Sequence, residues 1–133
     1  MKEKDSDDEE EIKTYKVILV GESAVGKTSI MNRFLKDNFK ENLTPSSSAS
    51  YAEKTIKLSK YKGKEMNFGI WDTVGQEKFR SVVKNYFQNA TAAILVYDIT
   101  KKSSFLEIEK FWYDHIIQYC PKGVNKYILF FNY

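Results

Sequence analysis

The nine residues Gly21 to Ser29, Gly-Glu-Ser-Ala-Val-Gly-Lys-Thr-Ser, constrain this chain more than any other stretch. Ahead of them Thr14, Tyr15, Lys16, Val17, Ile18, Leu19 and Val20 form a short β-branched and aliphatic run. Behind them Ile30, Met31, Arg33, Phe34 and Leu35 carry apolar residues at helical spacing. A strand, a glycine turn and a helix are therefore predicted to meet here. Gly21, Gly26, Lys27 and Thr28 stand in the register G-x-x-x-x-G-K-[ST], in which successive backbone N–H groups form a concave nest at the positive end of a helix. Polyphosphate is the ligand such a nest suits. Its wall would run through Gly21, Glu22, Ser23, Ala24, Val25, Gly26, Lys27, Thr28 and Ser29. Lys27 would neutralise the β and γ oxygens, and the Thr28 hydroxyl would coordinate Mg²⁺. The plainer alternative, a glycine turn without chemistry, is disfavoured by the strand and helix on either side.

At 133 residues and 42% hydrophobic, the chain has the make-up of one globular domain with a real core. The net charge of +3 hides an asymmetry: Glu3, Asp5, Asp7, Asp8, Glu9, Glu10 and Glu11 face only Lys2 and Lys4 at the start. Residues 1–13 read as an acidic, disordered tail and 14–133 as the domain. The basic surplus is spread through the body, which gives nucleic-acid binding little support. A single cysteine, Cys120, excludes an intrachain disulfide and fits a reducing compartment; with one histidine, His115, no zinc cluster can be assembled. No run of ~18 apolar residues and no basic leader is present, so a cytoplasmic, monomeric protein without a membrane anchor is expected.

Beyond the first helix, which should end near Lys36, the stretch Asp37 to Ser50 reads as a long loop with Pro45 and three consecutive serines. Tyr51 to Leu58 and the run through Met66, Phe68, Ile70 and Trp71 are predicted to form a hairpin turned at Lys62-Gly63. Ala92 to Tyr97 is a continuous apolar run, suited to a strand covered on both faces. Ser104 and Glu107 read as a capping box opening a helix whose stripe is Phe105, Ile108, Trp112, His115 or Ile116, and Tyr119. His115 is expected to be a packed or surface residue, since no nucleophile or metal partner accompanies it. Pro121 to Lys126 should break that helix before a last strand, Tyr127 to Phe131.

A phosphate loop alone leaves kinases, ATPases and GTPases open. The second motif, Trp71-Asp72-Thr73-Val74-Gly75-Gln76-Glu77, sits at a strand end, where Asp72 can serve Mg²⁺, the Gly75 N–H can approach a γ-phosphate and Gln76 can orient a water. With the first motif it resembles the Ras-like small GTPases. The block Trp71 to Ser81, the pair Tyr86-Phe87 and Tyr97-Asp98-Ile99-Thr100 narrow the resemblance to the Rab branch.

The resemblance implies an α/β P-loop NTPase with a mostly parallel sheet and helices on both faces. It implies a GTP/GDP switch with slow hydrolysis in vesicle traffic, Mg²⁺ held by Thr28, Ser46 and Asp72, and Gln76 as the catalytic residue. Exchange factors, GTPase-activating proteins and effectors follow as partners, and an endomembrane surface as location. Three departures stand out. Ser46-Ser47-Ser48 replaces Thr-Ile-Gly in the first switch loop, and Val74 replaces alanine. In the guanine-reading N-K-x-D block Asn132 matches, but Phe131 stands for glycine, Tyr133 for lysine, and the aspartate is missing. Cys120 lies too far from the end to be the family's lipid site. The expectation is a Rab-like domain cut short of its last strand and helix, with a non-catalytic, poorly guanine-selective fragment as the alternative.

Overall fold

The computed structural model describes residues 12–36, 50–73 and 80–131. Five strands form one sheet in the order β2-β3-β1-β4-β5: β1 Thr14–Val20, β2 Ser50–Leu58, β3 Lys64–Asp72, β4 Ala92–Asp98 and β5 Asn125–Phe131. β1 pairs in parallel with β3 and β4, β4 pairs in parallel with β5, and only β2 runs antiparallel, against β3. The chain is an α/β fold with a mostly parallel sheet, as its motifs imply. The antiparallel pair is the predicted hairpin, and its turn closes through Gly63 N donating to Leu58 O, with Lys62 and Gly63 both at positive φ.

Helices cover both faces because the central strand alternates. Ile18 and Val20 point to one side, where they pack with Phe87, Ala93, Leu95, Ile108, Trp112 and Ile116. Val17 and Leu19 point to the other, against Met31, Phe34 and Leu35 of helix α1, Lys27–Lys36. The α1 side is less filled: a cavity of about 240 Å³ lies there, lined by apolar side chains of α1 and of β1 to β4.

On the larger side lie α2, Arg80–Phe87, which the sequence reading did not foresee, and a continuous helical stretch from 102 to 119. That stretch is α3, Lys102–Glu107, a π turn over Ile108–Trp112, and α4, Tyr113–Tyr119. Its buried stripe is Ile108, Trp112 and Ile116, four residues apart, a spacing that the wider π turn keeps on one face. Phe105 is not part of that core. It is 44% exposed and meets Tyr97 edge-on at 5.1 Å.

The expected capping box is corrected. The helix begins two residues before Ser104, with Lys101 at the cap position, so Ser104 lies in the first turn and is buried. Its hydroxyl accepts the Asp98 N–H and donates to the carbonyl of Lys101, tying the helix start to the end of β4. β5 also starts earlier than predicted, at Asn125, because Asn125 N donates to Thr91 O ahead of the apolar run. His115 stacks on Phe111 at 3.9 Å between ring centroids, with Nδ1 2.8 Å from the Phe111 carbonyl, the packing role expected of it. Among the described residues no helix is long and apolar enough to cross a membrane.

Candidate functional site: a phosphate loop facing a strand-end carboxylate

In an open parallel sheet the crevice beyond the carboxyl ends of the strands collects ligands where neighbouring crossovers diverge. β1 is that place here, flanked by β3 and β4, and the glycine loop leaves its carboxyl end. The loop backbone can take its path only with glycine at its head. Gly21 has φ +149°, and a Cβ there would stand 2.2 Å from the carbonyl oxygen of Val96 on β4. Gly26 at φ +103° and Ala24 at φ +61° continue the turn, and Ile30 N donating to Gly26 O starts α1.

Lys27 is the first residue of α1 and is 6% exposed. Its ammonium donates back across the loop to Gly21 O at 3.1 Å and Glu22 O at 2.7 Å, so the cation lies along the inner wall of the nest. Burial pushes its pKa down to about 8, while Asp72 and Glu22 act in the opposite direction. Val25 and Ser29 are buried as well.

Asp72 ends β3, paired in register with Leu19 of β1. Its carboxylate accepts a short hydrogen bond from the Thr28 hydroxyl through Oδ2. Oδ1 is buried with no hydrogen-bond partner among the described residues. Burial raises the Asp72 carboxyl, opposed by the Thr28 bond and by Lys27. A buried carboxylate oxygen without a donor, beside a hydroxyl, fits a hard divalent cation, which takes oxygen ligands. Thr28 and Asp72 would hold Mg²⁺, and when bound it would offset the charge of a polyphosphate. One carboxylate is few for a metal site; among the described residues no group of three His, Cys, Asp or Glu could hold an ion. Such a cation therefore needs phosphate and water oxygens to complete its shell.

Of the residues proposed from sequence, Gly21 to Ser29 and Asp72 meet at this crevice. Ser46, Val74, Gly75, Gln76, Asn132 and Tyr133 lie outside the described residues, as does nearly all of the acidic tail. One positioning residue was missed. Thr73 is fully buried, and both its N–H and its hydroxyl donate to the Leu19 carbonyl, at 3.3 and 2.6 Å, which holds the end of β3 against β1 beside Asp72. Its place inside the second motif was visible, but its inward turn needed the strand register.

The Ras family model matches residues 16–130. The chain belongs to the Ras family. Its relatives within the family are Rab-like: it is 40% identical to Ras-related protein Rab-31 of Homo sapiens over 114 residues, which is 85% of this chain and 56% of that protein. It is 44% identical to GTP-binding protein YPT53 of Saccharomyces cerevisiae over 103 residues, covering 77% of this chain and 45% of that one. Ras-related protein Rab-18-B of Danio rerio is 36% identical over 116 residues, 87% of this chain and 55% of the relative. This Rab-like chain thus spans about half the length of the relatives it matches.

A second feature of the Rab-like domain lies on the side of the β2–β3 pair that faces α2. Tyr51 and Trp71 lie 4.7 Å apart, Trp71 and Tyr86 5.7 Å apart, and the Lys16 ammonium sits 5.2 Å over Trp71. Gly69 makes room for this row, since a Cβ there would meet the Tyr51 hydroxyl oxygen at 2.7 Å. That hydroxyl donates to Glu53.

Proposed function

We propose that this chain is a Rab-type nucleotide switch: it binds GTP and GDP with Mg²⁺, hydrolyses GTP slowly, and serves intracellular vesicle traffic at endomembrane surfaces. The observation that carries the reading is the hydrogen bond from Thr28 to Asp72 at the mouth of a loop whose inner wall holds Lys27. Lys27 binds and orients the phosphates, and the loop amides of 21–28 replace their water shell. Thr28 and Asp72 position the metal side of the ligand. From their places in the sequence motifs, Ser46 adds a hydroxyl to the metal side, the Gly75 N–H meets the γ-phosphate, and Asn132 reaches toward the base. Gln76 orients the attacking water and is the catalytic residue. The row of exposed Tyr51 and half-buried Trp71 and Tyr86 gives effectors an aromatic surface of the kind that dominates binding energy. Exchange factors and GTPase-activating proteins complete the cycle.

A non-catalytic, poorly selective nucleotide binder is the second reading, favoured by Phe131 and Tyr133 standing where the guanine motif has glycine and lysine. Titration of a fluorescent GDP analogue with Mg²⁺ tests both. Binding lost in Lys27→Ala supports a phosphate site, and absence of saturable binding overturns it. Single-turnover phosphate release that drops several-fold in Gln76→Leu separates the hydrolytic switch from the non-catalytic binder. Displacement by GTP against ATP then reads the guanine preference.

A further inference from the structure

The β2–β3 hairpin gathers at its tip a charge that its sequence merely strings out. Lys57, Lys60, Lys62 and Lys64 fall within eight residues, all exposed, and the one acid in the stretch 57–65, Glu65, stands across the hairpin from Lys57. The tip is a closed turn. A single 3₁₀ turn, Ser59–Tyr61, leads into Lys62 at φ +55° and Gly63 at φ +74°, and the Gly63 N–H closes on the Leu58 carbonyl. Lys57 joins the group through its stem, since a Cβ on Gly63 would lie 3.1 Å from the Lys57 Cε. At the apex stands Tyr61, 68% exposed.

We infer that this hairpin tip docks on an anionic lipid surface. A convex knob meets a plane with Lys60 and Lys62 of its turn, flanked by Lys57 on one face and Lys64 on the other, whereas a nucleic-acid strand is gripped by a groove and by stacked aromatics. The cations are all lysine, which binds as a point charge, and none is arginine, the residue suited to planar, bidentate readout of nucleic acid. A lone tyrosine among lysines suits the headgroup layer, where its ring sinks and its hydroxyl stays wet. The nine residues of β3, Lys64–Asp72, put the tip about 26 Å from Asp72 at the usual strand rise. Docking there leaves the phosphate crevice turned away from the membrane. The inference goes beyond the nucleotide reading and does not depend on it.

The test is cosedimentation of the whole chain, without nucleotide, with vesicles of phosphatidylcholine alone or with one third phosphatidylserine, at 50 and 300 mM salt. Binding is expected only to the anionic vesicles and should fall steeply with salt. Each lysine replaced should weaken it about fivefold. Lys60→Gln with Lys62→Gln should therefore weaken it about 25-fold with thermal stability unchanged, and Tyr61→Ala should weaken it further. Equal binding to neutral vesicles would assign the contact to exposed apolar residues such as Ile128 and Phe130 of β5 and overturn the inference. So would no binding, or anionic binding that the double variant leaves unchanged. Tighter, lysine-dependent binding to single-stranded RNA at matched salt would make the partner a nucleic acid and overturn it as well.

Discussion

Lys27 places a positive charge where water has been removed, and this sets a pH dependence with opposite signs for the empty and the occupied chain. An ordinary lysine titrates near 10.5, and here burial brings the value to about 8. Below pH 8 the folded and unfolded chains both carry the charge, and the folded state bears the full cost of burying it. Between pH 8 and 10.5 the folded state loses its proton first, so the empty chain should gain stability as pH rises through that window. Phosphate binding uses the protonated form and should move the other way. Affinity for Mg²⁺-GDP is expected to weaken about tenfold from pH 7 to pH 9, the ratio a group titrating near 8 dictates. Fluorescence titration at both values checks it, and Lys27→Arg should flatten the profile. The role of Lys27 was legible from its register in the motif. Its burial was not, because that depends on the carbonyls of Gly21 and Glu22 folding back over it.

Among the elements, α1 is held at both ends, and only one of the two holds could be read in advance. Its start is the glycine loop, a local pattern of short range. Its end is fastened from β2: Lys54 Nζ donates to the Phe34 carbonyl and lies 4.8 Å over the Phe34 ring. A cation there meets the negative end of the helix and one of its unpaired carbonyls. Lys54→Met is expected to cost about 2 to 4 kcal/mol, the sum of a charge-assisted hydrogen bond and a partly exposed cation–π contact, and Lys54→Arg to cost less. Urea denaturation midpoints measure both. Periodicity found the hairpin, the last strand and the Ile108, Trp112, Ile116 stripe. It misplaced the start of α3, because Ser104 bonds to Asp98 across a chain reversal that local pattern does not contain. α2 went unseen for a related reason: its packing residue, Phe87, is buried in a core assembled from β1, β4 and the 102–119 helical stretch, none of which is local to it.

At the scale of the molecule the two faces of the sheet are unequal. The α2, α3 and α4 side packs around Trp112, fully buried, while the α1 side has Met31 beside a cavity of about 240 Å³. Trp112→Ala should cost about 3 to 5 kcal/mol and Met31→Ala about 2, because Met31 already lacks neighbours on one side. Against a total stability of about 5 to 15 kcal/mol, the first loss threatens the fold and the second does not. Thermal melts followed by circular dichroism distinguish them.

The fold class was legible because a glycine loop between strand and helix, followed by a carboxylate at a second strand end, leaves few topologies. The lateral ties were not. Gly21 is pressed against Val96 of β4 and the Leu19 carbonyl is taken by Thr73 after β3, so the end of β1 is pinned from both sides. The loop is thus shaped by its neighbours more than by its own nine letters. Transplanted alone into another strand-to-helix junction, Gly21 to Ser29 would carry its spelling but not its curvature. The smallest portable unit is a raft of three strands, β3, β1 and β4, with the register between them intact.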